Sequence, residues 1–391
     1  APRSLSHAPV FQVMFGLNNT AELPSALPAG EATGFIEPLP VGGAKLDLSL
    51  SFNSVDGGLD GHWEYATDLF DPQTIAALAD RYRNALDHLV EHPHAPLERL
   101  PLCTPEEIER VMSWAQGASA DDAFEHPAAA IARHARLAPD AVALADERIT
   151  LSYAALDRAA ARIAARFRDA GVVAEDRVAL VLESGAPLVL CMLAALKAGA
   201  CYVPIDPSLP PRRRSTILED CGARVVVAAS SVDMRDAAAD AADAADVPAS
   251  AVPCMTLSDL LASAADPAIA GQDSARPEAG CLEGELDADR LVYVIYTSGT
   301  TGVPKGVAVS ARGLHNLARW HAHAFEVDGA ARASQVAGVG FDAMAWEVWP
   351  YLMRGACVVF PDAEARSTPR RLCAALDTLT ATHAFMPTPM A

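Results

Sequence analysis

The chain has 391 residues, room for two or three domains at roughly 100–200 residues each. Hydrophobic residues make up 51% and charged residues 20%, as in an ordinary globular protein, and the formal net charge is -20. That acidity excludes a surface that holds nucleic-acid phosphates or anionic lipid by bulk charge, and no apolar run approaches the ~20 residues of a membrane helix. A local phosphate site stays open, because backbone N–H groups and a single Lys can bind phosphate against the global field.

The first hundred residues read as strands followed by a helix. Val10–Phe15 is a mostly apolar strand, and Lys45–Asn53 alternates, with Leu46, Leu48, Leu50 and Phe52 on one face. Asp71 suits an N-cap and Pro72 the first helical position. Ile75, Leu78, Ala79, Tyr82, Leu86, Leu89 and Val90 then recur at helical spacing until Pro93. Residues 97–127 read as a polar, Pro-containing linker in which Thr104-Pro105-Glu106-Glu107 can start a short helix. From about residue 128 helix and strand alternate. The pattern predicts a helix from Ser152 to near Gly171, strand Arg177–Leu182, a helix ending at Gly199 and strand Cys201–Ile205. Helix Pro211–Cys221, strand Arg224–Ala228, strand Leu291–Tyr296 and a helix near Arg312–Phe325 follow. This alternation indicates an α/β fold with parallel layers. Residues 233–250 are an Ala/Asp-rich tract without chemistry.

Eight cysteines are present: Cys103, Cys191, Cys201, Cys221, Cys254, Cys281, Cys357 and Cys373. None forms a CxxC pair and several lie in apolar runs, so they read as reduced core residues of a cytoplasmic protein. Ala1-Pro2-Arg3-Ser4 is not followed by an apolar signal region. With no initiator Met and an apolar segment interrupted at Pro389-Met390-Ala391, both ends read as cuts in a longer chain. His88, His92 and His94 lie on and beyond a helix end without carboxylate or Cys companions at ligand spacing, so no metal site is assigned.

The chemistry concentrates in Leu291–Gly306. An apolar strand runs into Thr297, Ser298, Gly299, Thr300, Thr301, Gly302, Val303, Pro304, Lys305 and Gly306. Glycines let the backbone approach a polyphosphate, hydroxyls and N–H groups donate to its oxygens, and Lys305 adds a point charge. A P-loop ends in Gly-Lys-Ser/Thr and opens a helix; here Pro304 precedes the Lys and Gly306 follows it, so that reading is rejected. A plain surface turn explains the composition but not this order behind a buried strand.

This stretch resembles the signature loop of the adenylate-forming superfamily, which contains acyl-CoA synthetases, luciferases and nonribosomal adenylation domains. Leu151–Leu156, Leu196–Pro207 and Phe341–Glu347 are similar to three further motifs of adenylation domains, in family order. Residues 1–104 resemble the end of a condensation domain, on Arg3–Phe15, Lys45–Leu48 and Glu64–Asp71. The His-His…Asp-Gly catalytic motif of that family is absent, and no catalytic residue is assigned there. The resemblance implies a fragment of a nonribosomal peptide synthetase. Its parts would be the C-terminal part of a condensation domain (1–104), a linker (105–127) and the N-terminal part of an adenylation domain (128–391). The implied fold is a truncated adenylate-forming N-terminal subdomain of layered parallel sheets with helices, preceded by part of a chloramphenicol-acetyltransferase-like lobe.

By the same resemblance, the parent protein activates an amino acid with ATP and passes it to phosphopantetheine on a downstream carrier domain, in secondary-metabolite biosynthesis. Thr297–Gly302, Lys305 and Gly306 would grip the β- and γ-phosphates, with Lys305 as the catalytic charge. Asp342 would hold the substrate α-ammonium, and Ala343, Trp346 and Phe385 would line the side-chain pocket. Asp, Ala, Trp and Phe in that order favour Leu, with Phe second. The Mg²⁺ ligands are expected outside this stretch, and the 391-residue piece alone is expected to be inactive. Partners would be the amino acid, the carrier domain and the upstream condensation domain, with no nucleic acid or membrane. Each motif residue also has a bland role: core packing for Tyr153, Leu156 and Trp346, dipole compensation for Lys197 and an N-cap for Asp342. One departure is Ala311, where the family usually carries His. An acyl-CoA ligase and a non-catalytic scaffold remnant are the alternatives.

Overall fold

The computed structural model describes residues 10–18, 26–29, 32–35, 42–55, 58–117, 123–146, 149–229, 253–265, 287–298 and 304–388. The Arg3–Pro9 part of the condensation-like motif, the 233–250 tract and Cys281 lie outside them. The chain divides into two compact units, residues 1–121 and 122–391.

In the first unit, β1 (Val13–Asn18) runs parallel to β4 (Leu48–Val55), which pairs antiparallel with β5 (Gly58–Tyr65). A separate antiparallel ladder joins β2 (Ala26–Ala29) and β3 (Ala32–Phe35). Helix α1 (Pro72–Glu91) follows, entered through Asp71 and Pro72 as the sequence predicts, although the Asp71 side chain makes no capping bond. Its Tyr82 ring stacks on Phe52 of β4 at 5.7 Å and meets Trp63 of β5 edge-on at 6.3 Å, so aromatic pairs seat the helix on the sheet. The first strand starts three residues later than the apolar run suggests, because its register is set by pairing with β4, from Val13 opposite Leu48 onward. The predicted linker contains an eleven-residue helix, α2 (Pro105–Ala115), held by a reciprocal capping box between Thr104 and Glu107. Glu107 also pairs with Arg81 of α1 at 2.8 Å.

Among the described residues, the second unit holds two sheets. Elements enter in the order α3 (Pro127–Leu137), β6 (Val142–Ala145), β7 (Thr150–Ser152), α4 (Tyr153–Asp169), β8 (Arg177–Val181), α5 (Ala186–Lys197), β9 (Cys201–Ile205) and α6 (Pro211–Cys221). Then come β10 (Val225–Ala228), β11 (Cys254–Thr256), α7 (Leu257–Ala265), β12 (Leu291–Ser298), β13 (Pro304–Ser310) and α8 (Ala311–Ala324). Last are β14 (Arg332–Ser334), α9 (Asp342–Leu352), β15 (Cys357–Val359), α10 (Pro369–Thr378) and β16 (His383–Ala384). The larger sheet has the order β11-β10-β8-β9-β12-β13 and is parallel except for β13. The smaller has the order β16-β14-β15-β6-β7 and is parallel except for β7.

Both faces of the larger sheet are covered, which is why its strands read as unbroken apolar runs. Along β8, Val178 and Leu180 join the main core while Ala179 and Val181 join a second cluster with Ile217, Leu218 and Cys221 of α6. The main core contains residues of both sheets together with α3, α4, α5, α8 and α9. Helix α5 is buried on every side, as its unbroken apolar sequence demands. Its last residue, Lys197, lies in the core and pairs with Asp157 of α4 at 2.8 Å, so it acts as a specific ion-pair partner as well as sitting at a helix C-terminus. Gly199, at φ 81°, turns the chain out of the helix into β9.

The cysteine expectation holds for Cys191, Cys201, Cys221 and Cys357, which are buried, and burial pushes the Cys191 thiol up to about 12. Cys103 and Cys373 are exposed and need correction: they sit on the outer faces of their segments, not in the core. No helix among the described residues is long and apolar enough to cross a membrane.

Candidate functional site

The predicted phosphate loop is narrower than its sequence suggests. Strands β12 and β13 form a hairpin in which Thr297 lies opposite Lys305 and Ser298 opposite Pro304. The Thr297 hydroxyl donates to the Lys305 carbonyl at 3.5 Å. The two ends of the stretch therefore belong to a ladder, because the β-pairing started by Leu291–Tyr296 continues through the polar residues. Gly299, Thr300, Thr301 and Gly302 lie outside the described residues, as does the side chain of Ser298. Thr297, Lys305 and Gly306 are exposed. Gly306 is closely packed: a Cβ there would lie 3.0 Å from both Tyr296 Cζ and Val294 Cγ1, so those side chains would have to shift to admit one. The Tyr296 hydroxyl in turn donates to Asp220 at 2.6 Å. The element after the hairpin loop is a strand and not a helix, in keeping with rejection of a P-loop.

Ala311, where a His was anticipated, is the first residue of α8 and is fully buried. An imidazole could enter only by displacing core side chains.

Asp342 is exposed and is the first residue of α9; Phe341 is the N-cap, so an N-cap role for Asp342 is corrected. The Asp342 charge reaches Tyr293 of β12, whose hydroxyl is raised to about 12, first by burial and then by that carboxylate. Position along α9 is set from within the core: Trp349 Nε1 donates to the Tyr202 hydroxyl at 2.7 Å, and Tyr202 lies beside Tyr293 across β9 and β12. The carboxylate thus stands near the strand that continues into Thr297.

Trp346 and Phe385 line one cavity of about 330 Å³, their rings 5.3 Å apart. Ala343, between them and Asp342 in sequence, packs against the main core and is not among the cavity's lining residues.

Among the lining residues without an assigned role in the sequence, Glu347, His321 and Ser334 are buried polar groups. Glu347 is 3% exposed and accepts from the Val336 and Ala337 N–H groups at 2.9 and 2.8 Å and from Gln335 Nε2 at 3.1 Å. Burial raises its carboxyl to about 7 against these three donors. Gln335 also accepts from the Ser184 hydroxyl, so Glu347 ties the chain after β14 to the segment before α5. His321 of α8 accepts from Trp346 Nε1–H at its Nδ1, 2.7 Å away, and burial followed by the charge of His383 lowers it to about 4. Ser334 ends β14 and is 1% exposed. The spacing of His321 from Leu314 and Ala318 marked only a core-facing helix stripe; its meeting with Trp346 depends on how α8 and α9 pack.

Comparison with known proteins bears on this site. The family model described as AMP-binding enzyme matches residues 131–391, and that described as condensation domain matches residues 1–112. The chain is 36% identical to one of the linear gramicidin synthase proteins of Brevibacillus parabrevis, covering 100% of this chain and 7% of that protein. It is 33% identical to phosphinothricin tripeptide synthetase PhsB of Streptomyces viridochromogenes, covering 96% of this chain and 30% of that one. The chain therefore spans less than a third of the length of these curated relatives. Among solved structures, it is similar to the AMPPNP-bound form of the nonribosomal peptide synthetase FmoA3, at a TM-score of 0.66 and 25% identity, covering 95% of this chain and 37% of that one. It shares its fold with a four-domain nonribosomal peptide synthetase bound to AMP and glycine, at a TM-score of 0.68 and 23% identity, covering 98% and 28%.

Proposed function

Because the chain belongs to the AMP-binding enzyme family, we propose that it is the part of a nonribosomal peptide synthetase module in which an amino acid and ATP meet. Residues 1–104 would be the condensation part, 105–127 the linker and 128–391 the adenylation part. In the proposed reaction a carboxylate oxygen of the amino acid attacks the α-phosphorus of ATP. The bond to the β-phosphate oxygen breaks and pyrophosphate leaves. A carrier phosphopantetheine thiol then attacks the aminoacyl carbonyl and AMP leaves.

One observation supports this reading above others: the hairpin carrying Thr297 and Lys305 issues from β12, and Asp342 begins the helix α9 whose Trp349 is bonded to Tyr202, the partner of Tyr293 in that same strand. An exposed Lys at a hairpin mouth suits the growing charge of the leaving pyrophosphate. A carboxylate at a helix start suits an α-ammonium, fixing the substrate for in-line attack. The Mg²⁺ that accompanies ATP has no ligand assigned among these residues. The side chain of the amino acid would enter the cavity walled by Trp346 and Phe385; the motif residues alone order the expectation as Leu, then Phe.

The test is amino-acid-dependent ATP–pyrophosphate exchange by the full-length protein that carries this chain. Asp342→Ala is expected to lower exchange by about a hundredfold, on the order expected for losing a charged anchor. Exchange driven by fatty acids, or insensitivity to Asp342→Ala, would refute the assignment.

A further inference from the structure

Asp342 stands exposed at the start of α9, and its own side chain has no hydrogen-bond partner among the described residues. Phe341, the N-cap, makes no side-chain capping bond either. The entry into α9 is held instead from about one and a half turns further along the helix. There Glu347 turns its buried carboxylate back onto the connection between β14 and α9. One oxygen accepts from the Val336 N–H at 2.9 Å. The other accepts from the Ala337 N–H at 2.8 Å and from Gln335 Nε2 at 3.1 Å. Gln335 Nε2 also donates to the Ala337 carbonyl at 2.6 Å, and the Gln335 N–H donates to the Val359 carbonyl of β15 at 2.9 Å. The connection then closes on a turn, the Phe341 N–H donating to the Gly338 carbonyl at 3.0 Å, and delivers Asp342.

Asp342 and Glu347 project from α9 roughly 140° apart, so the buried carboxylate faces away from whatever the exposed one meets. Glu347 also lines the cavity beside Trp346, yet its hydrogen bonds go to the connection. Burying a carboxylate is costly, and a well-packed apolar residue of similar volume often serves stability as well or better. What the carboxylate supplies is one defined path for the backbone that it bonds. The Ser184 hydroxyl extends the network by donating to Gln335 Oε1. That bond joins the segment after β8 to the segment after β14, at the carboxyl end of a parallel strand in each sheet. Ligands of open α/β sheets bind outside such ends. We propose that Glu347 is a positioning residue of the amino-acid site: by clasping Gln335, Val336 and Ala337 it fixes the start of α9, so that Asp342 stands where the substrate α-ammonium binds. This rests on the adenylation reading above and adds how its anchor is held. With Glu347 removed, the connection takes several paths, and Asp342 meets the ammonium in only some of them. The loss then falls on amino-acid binding and leaves nucleotide binding alone.

The experiment measures ATP–pyrophosphate exchange by the full-length protein with its best amino acid, for Glu347→Gln, Asp342→Ala and the double variant. Glu347→Gln puts an amide NH₂ against the N–H donors of the connection. It is expected to raise the amino-acid KM about tenfold, on the scale of losing charge-assisted hydrogen bonds, while the KM for ATP and kcat stay within about twofold. In the Asp342→Ala background the same change is expected to raise KM less than about twofold, because the group it positions is already gone. Ser184→Ala, which frees Gln335 but leaves Glu347 in place, is expected to raise the amino-acid KM about threefold, again only while Asp342 is present. Thermal melts establish that each variant is folded, and Ser184→Ala carries the test if Glu347→Gln is not. An equal rise in KM with and without Asp342 overturns the proposal and leaves adenylation standing, since it shows Glu347 acting on the substrate directly or through general stability. A fall in kcat at unchanged amino-acid KM, or an equal rise in the KM for ATP, overturns it too. Absence of exchange with any amino acid by the unaltered protein overturns the adenylation reading itself.

Discussion

At the scale of single residues, the informative side chains are polar ones that the fold has buried. His126 caps α3 by accepting from the Ala128 N–H at 3.2 Å and is 7% exposed. Burial, helped by the Arg290 charge, lowers it to about 4. An unfolded His titrates near 6.5, so the unfolded chain binds more protons between those values. The stability that His126 contributes is present above about 6.5 and is lost as the pH falls through about 4; His321 acts in the same direction. Glu347 acts oppositely: raised from 4.5 to about 7, it contributes below 4.5 and loses that contribution as the pH rises through about 7. His126→Asn keeps a capping acceptor and removes the titration. Denaturant unfolding should show the variant losing less stability than the parent between pH 6.5 and 4, by up to about 3 kcal/mol. Superimposable pH profiles would show that His126 is not responsible. The composition exposes none of this, since a His in an apolar stretch reads the same whether its partner is a backbone N–H or water.

At the scale of elements, helices and parallel strands were largely legible, because burial on one stripe or on both faces leaves a periodic record. Strand Cys201–Ile205 and helix Pro211–Cys221 lie where the pattern places them. The hairpin was less legible: Gly, Thr and Ser read as loop, yet the ladder runs on to Ser298 and resumes at Pro304. Local propensity there yields to cross-strand pairing. Gly306 tests how tightly that ladder is packed. Gly306→Ala should push Tyr296 aside and weaken its bond to Asp220, lowering stability by about 1–3 kcal/mol, the usual cost of overpacking. Unfolding measurements check the energy, and a tyrosine-sensitive near-UV signal checks the displacement. Wild-type values for both would mean that the hairpin yields freely.

At the scale of the whole molecule, the second unit is held together by contacts between motifs far apart in the chain. Tyr202 and Trp349 are both fully buried and share a 2.7 Å hydrogen bond between β9 and α9. The Tyr153 hydroxyl at the start of α4 donates to the Leu352 and Ala356 carbonyls at 3.0 and 2.7 Å. Tyr202→Phe should cost about 1–3 kcal/mol by leaving the indole N–H buried without its acceptor. Adding Trp349→Phe should cost less than it does alone, a coupling that a double-mutant cycle of unfolding free energies measures. Strict additivity would show the two side chains to be independent.

Residue order alone determined the α/β class, most element positions and the family of the second unit, and it singled out Thr297–Gly306, Asp342, Trp346 and Phe385 as candidates. Those features leave local or periodic signatures, which short-range sterics and burial write into the chain itself. Only the folded arrangement decided that His321 meets Trp346, that Ser334 shares their cavity, and that Ala343 turns to the core. These pairings join residues tens of positions apart, and packing between helices and sheets, which has no fixed sequence period, brings them together.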